Sequence, residues 1–245
     1  MHINKSLKIL NPQTRFKERR QIIETTLNQV FPNKNQAIKI LEAGCGKWWA
    51  LKEINRKFEI TGVDISSEAL EYRLNTQKDL ANYKVGDLRN IEIENNSFDA
   101  IYSNYVLEHI KGSEIVLQNF LKWLKNGGII IVQVPDRNST AAFFSRFSPH
   151  FIHVLYYKYV KGRKNAGEPG HGPFEAYYDK ILSIDGFRRF SENNGCKILA
   201  EIGILAPYKG FSFFSKILQL LSLGKLSHNH NGLLYIFQKE PQKSL

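Results

Sequence analysis

The first 135 residues alternate short apolar runs with longer segments in which apolar residues recur at helical spacing. Five runs have the length and composition of strands: AIKILEA, EITGVDI, YKVGD, SFDAIYSN and IIIVQVP. The last is nearly all β-branched, which is typical of a strand buried on both faces. The intervening segments KWWALKEINRKF, SSEALEYRLNTQKDL and SEIVLQNFLKWLKNGG predict helices. This order indicates an α/β fold, a mostly parallel sheet with helices on both faces.

Several predicted helices carry start or stop signals. Ser66 or Ser67 can cap the helix predicted over SSEALEYRLNTQKDL. Gly127-Gly128 can end the helix predicted over SEIVLQNFLKWLKNGG. A further helix is predicted before the first strand, over TRFKERRQIIETTLNQVF. Its apolar face consists of Phe16, Ile23, Leu27 and Val30.

Beyond residue 135 the pattern is less regular. CKILAEIGIL and GLLYIFQKE predict a sixth and a seventh strand, and YYDKILSIDGFRRFSENNG predicts a helix before them. We therefore expect a helical segment at 1–36, a Rossmann-like core at 37–135 and an inserted cap at 136–176. The rest of the same domain would occupy 177–245, with a second insertion at 206–231, where Phe214, Ile217, Leu218 and Leu221 form a helical stripe.

The formal charge of +11 is concentrated in two segments without acidic residues. Residues 137–164 contain six Lys and Arg, and residues 206–231 contain three. This local excess favours an anionic substrate, an acidic membrane surface or a nucleic acid as the partner. The first segment is also rich in Phe and Tyr, so it can form a cap with an apolar inner face. The second can be a lid, a dimer face or an interfacial helix.

Composition narrows the protein class. Hydrophobic residues make up 42% and charged residues 23%, which is ordinary for a globular protein. Two cysteines are too few for a disulfide scaffold, and neither a signal peptide nor a membrane-spanning run is evident. We therefore expect a cytoplasmic protein.

Polar residues stand where four consecutive predicted strands end, and ligands bind at such carboxyl ends in open α/β sheets. Glycines at the first end let the backbone approach a ligand closely. An acid at the second end can bind both hydroxyls of a ribose, and an acid at the third can accept from an exocyclic amine. These ends read Glu42-Ala-Gly44-Cys-Gly46, Asp64-Ile65, Asp87-Leu88 and Asn104-Tyr105. Together they predict a nucleoside pocket.

The same loop argues against a dinucleotide. The dinucleotide fingerprint requires a third glycine for the pyrophosphate. Here Trp49 occupies that position. We expect Trp48 to line the ligand side of the loop and Trp49 to pack under the sheet.

In order and spacing, the motifs ILEAGCG, ITGVDIS, YKVGDLRNI, SFDAIYSNYVLEHI and LKNGGIIIVQVP resemble those of class I S-adenosylmethionine-dependent methyltransferases. The resemblance covers about residues 37–135. It implies a Rossmann-like, doubly wound sheet of seven strands with the last antiparallel, and S-adenosylmethionine as cofactor. This chain departs from the family at Trp48, where the family's third loop glycine would stand.

The resemblance also implies roles for the strand-end residues. Glu42, Gly44 and Gly46 would lie along the methionine part of the cofactor. Asp64 would bind the ribose and Ile65 would lie against adenine, while Asp87 would bind the adenine amine and Leu88 would pack on the ring. Asn104 and Tyr105 would lie near the sulfonium.

Three histidines are candidate general bases for the acceptor: His171, His153 and His109. A related quinone-precursor group binds a metal through a Glu-x-x-Glu-His cluster. Here Tyr105 replaces the first Glu, so only Glu108 and His109 remain as ligands. We therefore expect no metal and expect VLEHI to orient the loop after the fourth strand.

The predicted activity is methyl transfer to an oxygen, nitrogen or carbon of a small-molecule or lipid-like acceptor. The alternatives are an RNA or protein methyltransferase, a membrane-surface lipid or quinone methyltransferase, and a non-enzymatic cofactor-binding subunit. SNYV stands where a nucleic-acid methyltransferase would carry an NPPY-like tetrapeptide, which argues against a nucleic acid.

Overall fold

The computed structural model describes residues 7–10, 14–160, 162–168, 172–205, 219–223, 225–227 and 229–241. The strands are β1 (Lys8–Leu10), β2 (Ile38–Ala43), β3 (Phe58–Asp64), β4 (Asn82–Val85), β5 (Phe98–Asn104), β6 (Leu124–Pro135), β7 (Cys196–Ile204) and β8 (Gly232–Lys239). The α-helices are α1 (Arg15–Val30), α2 (Ser67–Tyr72), α3 (Ser113–Trp123), α4 (Thr140–Phe147), α5 (His150–Leu155) and α6 (Ile184–Asn193).

The described strands form one sheet in the order β1-β7-β8-β6-β5-β2-β3-β4. Every neighbouring pair is parallel except the two made by β8, which runs antiparallel to β6 and β7. The mostly parallel α/β sheet with an antiparallel last strand is therefore confirmed. Strand order reverses between β2 and β5, which places a switch point there.

The predicted count of seven strands is wrong, because β1 adds an eighth strand beside β7. This part of the chain was predicted to belong to a helical segment. Three residues are too few to show a strand period, and β7 offers an open edge whose backbone groups need partners. Leu10 anchors the added strand because its side chain is fully buried.

Apolar side chains cover both faces of the sheet, as expected for parallel strands. One core cluster includes Leu117 and Phe120 of α3 and Phe187 of α6. The other includes Ile23 and Leu27 of α1 on the opposite face.

The segment KWWALKEINRKF was predicted as a helix, but the structure shows turns there. Its buried apolar residues are Trp49, Leu51 and Ile54, and this spacing does not place them on one helical face. Trp49 instead packs edge-on against the rings of Phe58 and Tyr102.

Two details of the other predicted helices also differ. Phe16 was assigned to the apolar face of α1 but is 62% exposed in the first turn of the helix, where its ring contacts the guanidinium groups of Arg15 and Arg19. Helix α3 ends at Trp123 and not at the glycine pair, because Leu124 already pairs with Phe98 as the start of β6.

The cap prediction is only partly covered by the described residues. Helices α4 and α5 fall in the first insertion, and a π-helical segment continues α5 over Tyr156–Val160, just as another one, Arg73–Gln77, continues α2. Residues 206–218, which hold most of the second insertion's apolar stripe, lie outside the described residues. No helix within the described ranges is long and apolar enough to cross a membrane.

The contribution of β1 can be measured with two neighbouring substitutions. We expect Leu10→Ala to reduce the free energy of unfolding by about 2–5 kcal/mol, because it removes a fully buried side chain. Ile9→Ala on the same strand should cost less than about 1 kcal/mol, because Ile9 is 40% exposed. Urea unfolding followed by circular dichroism gives both values, and equal losses would contradict the assigned strand.

Candidate active site

A cleft of about 230 Å³ opens at the carboxyl ends of β2 and β5, beside the switch point. Residues of the glycine loop line one part of the cleft, and residues of the two strand ends line the rest. The lining residues are Glu42, Gly44, Cys45, Gly46, Lys47, Trp48, Ala50, Tyr102 and Asn104. Two of the four strand ends singled out in the sequence thus line the cleft, whereas Asp64, Ile65, Asp87, Leu88 and Tyr105 are not among its lining residues.

The two loop glycines meet different requirements. Gly44 has φ of +73°, and a Cβ there would lie 2.3 Å from the Val106 side chain, so the position has no room for one. Gly46 has φ of +54°, and a Cβ there would meet nothing within 4 Å. The open space beside Gly46 leaves its backbone accessible from the cleft.

Asp64 ties the glycine loop to the end of β3. Its Oδ2 accepts from the Gly46 N–H at 2.8 Å, and its Oδ1 accepts from the Ser66 N–H at 2.9 Å. Ser66 also caps α2 by accepting from the Ala69 N–H at 3.2 Å, as the sequence predicted. Ile65, next to Asp64, is 78% exposed.

Glu42 lies at the base of the cleft and is paired with Arg73, a residue that the sequence analysis did not single out. Arg73 is fully buried and donates to Glu42 Oε2 at 2.9 Å, to the Cys45 carbonyl at 3.1 Å and to Asp79 Oδ1 at 2.8 Å. An arginine in a helical segment is expected on the surface, so the residue type carried no signal of this role.

Burial raises the pKa of Glu42 to about 8, although the guanidinium of Arg73 acts in the opposite direction. Burial also opposes the charge on Arg73, but its bonds with Asp79 and Glu42 hold the pKa above the usual value. The nearby thiol of Cys45 has its pKa raised to about 12, again chiefly by burial. It is therefore an inert thiol at neutral pH.

Asp87 lies after β4, and its carboxylate accepts from the guanidinium of Arg89 through both oxygens. These hydrogen bonds hold the pKa of Asp87 below its usual value. An amine approaching Asp87 would share the carboxylate with Arg89. Leu88 is only 4% exposed and packs in the apolar core, so little of its side chain faces a ligand.

Asn104 and Tyr105 end β5. Asn104 lines the cleft, and its buried Oδ1 has no hydrogen-bond partner within the described part of the protein. Tyr105 has φ of +56°, and its N–H donates to the Gln133 carbonyl at 2.8 Å. Tyr105 is 43% exposed at the same edge of the sheet, and its side chain is hydrogen-bonded to Gln133.

The two tryptophans of the loop face opposite ways, as expected from the sequence. Trp48 is 62% exposed, lines the cleft and contacts the Tyr72 ring edge-on with centroids 5.7 Å apart. Trp49 is 7% exposed and belongs to the core.

His109 stands in a 3₁₀ turn, Leu107–His109, that follows β5. Its Nδ1 lies 2.7 Å from the Glu175 carbonyl, which only accepts, so Nδ1 carries the proton. Burial lowers the pKa of His109, which keeps the ring neutral and leaves a lone pair on Nε2. Nε2 lies 3.9 Å from Glu108, a buried carboxyl whose pKa burial raises to about 8.

The other two histidine candidates differ from His109. His153 is held within the cap, where its Nε2 lies 2.8 Å from Ser148 Oγ and 3.2 Å from the Ser145 carbonyl. Neither His153 nor His109 is among the residues that line the cleft. His171 lies outside the described residues.

The sequence analysis also missed a buried polar chain at this edge of the sheet. Asp136 follows β6, and its Oδ2 lies 2.8 Å from His230 Nε2. His230 Nδ1 lies 2.9 Å from Ser227 Oγ. These contacts fasten the segment before β8 to the start of the cap.

Comparisons with known proteins agree with this geometry. Residues 15–201 match the model of a family described as a methyltransferase domain. Phosphoethanolamine N-methyltransferase 1 of Arabidopsis thaliana is 30% identical over 99 residues, which are 38% of this chain and 20% of that protein. Demethylmenaquinone methyltransferase of Staphylococcus saprophyticus is 28% identical over 134 residues, covering 52% of this chain and 55% of that protein.

The matched part spans about one fifth of the first relative and about half of the second. A crystal structure of an S-adenosylmethionine dependent methyltransferase from Mesorhizobium loti has a TM-score of 0.54 and 13% identity, covering 87% of this chain and 96% of that one. At this identity the likeness shows the fold alone. The family match, in contrast, covers more than half of the chain. This chain therefore belongs to the methyltransferase domain family of class I S-adenosylmethionine-dependent methyltransferases.

Proposed function

We propose that the cleft beside the switch point binds S-adenosylmethionine and that the protein transfers a methyl group to a small-molecule or lipid-like acceptor. One observation carries the proposal: a glycine loop with an open inner face is held against the carboxylate of Asp64 at the carboxyl edge of a parallel sheet. Such an edge is where open α/β sheets bind nucleoside ligands. Family membership supports the same activity.

The residues present fit this cofactor chemically. Each oxygen of Asp64 accepts one backbone N–H and retains capacity for another donor, so the two hydroxyls of a ribose can be bound. Glu42, Gly44 and Gly46 would hold the methionine part. Asp87 would accept from the adenine amine.

Apolar and amide groups would complete this site. Ile65, which is 78% exposed, would contact the adenine ring, whereas Leu88 is buried in the core. Asn104 and Tyr105 would border the reacting end, where the unpaired Oδ1 of Asn104 can accept a hydrogen bond.

When bound, S-adenosylmethionine supplies a methyl group already activated as a sulfonium. The protein's task is to orient the acceptor, exclude water and accept a proton where the acceptor loses one. His109 is the best supported of the three candidate bases, because its Nδ1 is anchored while its Nε2 makes no hydrogen bond to the described part of the chain. We assign it as the base for an acceptor that must lose a proton.

The cap at 136–176 would cover the acceptor. Its basic residues suit an anionic group, and its two aromatic residues that are only half-exposed, Phe143 and Tyr157, suit an apolar part of the acceptor. Phosphoethanolamine and demethylmenaquinone, taken from the names of two relatives, are therefore the first acceptors to test.

Loss of the Asp64 carboxylate tests the cofactor site. We expect Asp64→Ala to weaken S-adenosylhomocysteine binding by about 1–3 kcal/mol, because hydrogen bonds to the ligand and to the glycine loop are lost. Titration calorimetry measures the change, with Glu114→Gln at an exposed position of α3 as a control that should bind normally. Unchanged affinity in Asp64→Ala would remove Asp64 from the site, and no binding by the wild type would refute the proposed function.

Trp48 provides an optical test of the same cleft. The chain has three tryptophans, and Trp48 is the exposed one, whereas Trp49 and Trp123 are 7% and 3% exposed. We expect S-adenosylhomocysteine to shift tryptophan emission in the wild type, and Trp48→Phe to abolish the shift while retaining binding by calorimetry. A full shift in Trp48→Phe would show that the ligand binds elsewhere.

The role of His109 predicts a pH dependence. A base acts when unprotonated, so kcat/KM should fall as pH decreases through a pKa that burial holds below 6.5. We expect His109→Ala to lower kcat by about 10²–10⁴-fold and to abolish this acidic limb.

Transfer of radiolabelled methyl to whichever of the two acceptors reacts measures both effects. His153→Ala is the control, because His153 bonds within the cap, and it should retain the limb. An unaltered pH profile in His109→Ala would contradict the assignment.

A further inference from the structure

The outer face of the cap is apolar where a helix of a globular protein is normally polar. Six large apolar residues of α5 and the π-helical segment that continues it are at least 40% exposed. We call them the cap face: Phe151, Ile152, Leu155, Tyr156, Tyr159 and Val160. They recur at i, i+1, i+4, i+5, i+8 and i+9, so they form one continuous stripe.

This stripe points away from the protein and not into it. None of the residues of α5 or its continuation is fully buried. A soluble helix normally turns such a stripe toward the core. Contiguous exposed apolar surface of this kind marks a binding surface.

The charge around the cap face restricts the partner. Residues 137–164 contain six basic residues and no acidic ones. Lys158 is exposed within the stripe, and Arg163 and Lys164 follow it and are also exposed. An apolar stripe in a segment whose charged residues are all basic matches the boundary between acyl chains and anionic headgroups.

Two other partners fit less well. A second copy of the chain would bring two basic surfaces together without any acid from this segment to offset them. A single-stranded RNA would stack on aromatic rings, but half of the cap face is aromatic and the rest, Ile152, Leu155 and Val160, is aliphatic.

We propose that the cap face binds peripherally to membranes containing anionic lipids. The cap follows β6 directly and therefore lies at the same edge of the sheet as the cleft. Binding there would bring the cleft close to the lipid surface. If the proposed function holds, this location favours an acceptor dissolved in or anchored to the membrane.

The test is sedimentation of the full chain with vesicles, in a matched set of variants. We expect the wild type to bind phosphatidylcholine vesicles that contain phosphatidylglycerol and not pure phosphatidylcholine vesicles, and we expect salt to weaken binding. Ile152→Ser/Tyr159→Ser should lose at least about tenfold in affinity, because it removes two cap-face side chains. The control Ile115→Ser/Tyr83→Ser removes a similarly exposed Ile and Tyr elsewhere and should bind normally.

The charge contribution is measured separately with Lys158→Glu, which should weaken binding to the anionic vesicles. Absence of binding to anionic vesicles, or equal losses in the cap and control variants, would overturn the proposal. The proposal would also be overturned if the wild type formed a dimer that the cap variant does not form, without binding vesicles. The same holds if the wild type bound RNA in place of vesicles and the cap variant lost that binding.

Calorimetry with S-adenosylhomocysteine separates this proposal from the proposed function. The cap variant should bind that ligand as the wild type does. Vesicle binding by a chain that fails to bind S-adenosylhomocysteine would leave the membrane proposal standing and refute only the proposed function.

Discussion

The guanidinium of Arg73 is the contact on which the ligand-facing edge of the sheet depends. It joins the end of β2 through Glu42, the glycine loop through the Cys45 carbonyl, and the segment before β4 through Asp79. A buried guanidinium of this kind adds little net stability, but removing the carboxyl groups that accept from it leaves its charge uncompensated. We infer that Arg73 holds the shape of the loop, because its planar fork bonds three groups at once.

Asp64 holds the same loop from its other end. The loop is therefore held at two points: Arg73 donates to the Cys45 carbonyl, and Asp64 accepts from the Gly46 N–H. The cleft wall is therefore formed before any ligand arrives, which lowers the entropic cost of binding. The cap has a different character, since its outer helix is exposed and apolar. One edge of the sheet thus combines a preformed wall of the proposed cofactor cleft with an apolar surface suited to a membrane.

Much of the site was predictable because parallel strands bring their carboxyl ends to one edge. Gly44, Gly46 and Asn104 do line a single cleft, and Asp64 bonds to its loop. Leu88 shows the limit, because a residue at a strand end can still turn its side chain into the core. Neither Arg73 nor the Asp136–His230 contact was predictable, because each joins residues far apart in the sequence and no local pattern marks them.

The sequence by itself determined the alternation of strands and helices, the position of the glycine loop and the acids at the strand ends. These features follow from local periodicity and from residue types with particular backbone or hydrogen-bonding properties. Only the tertiary structure decided that Lys8–Leu10 joins the sheet. It also decided that the segment around Trp49 forms turns in place of a predicted helix, because Trp49 packs on Phe58 and Tyr102. The exposure of the cap face to solvent was likewise a tertiary outcome. Each of these outcomes depends on which distant surface a segment meets, and burial against a distant partner overrides a weak local preference.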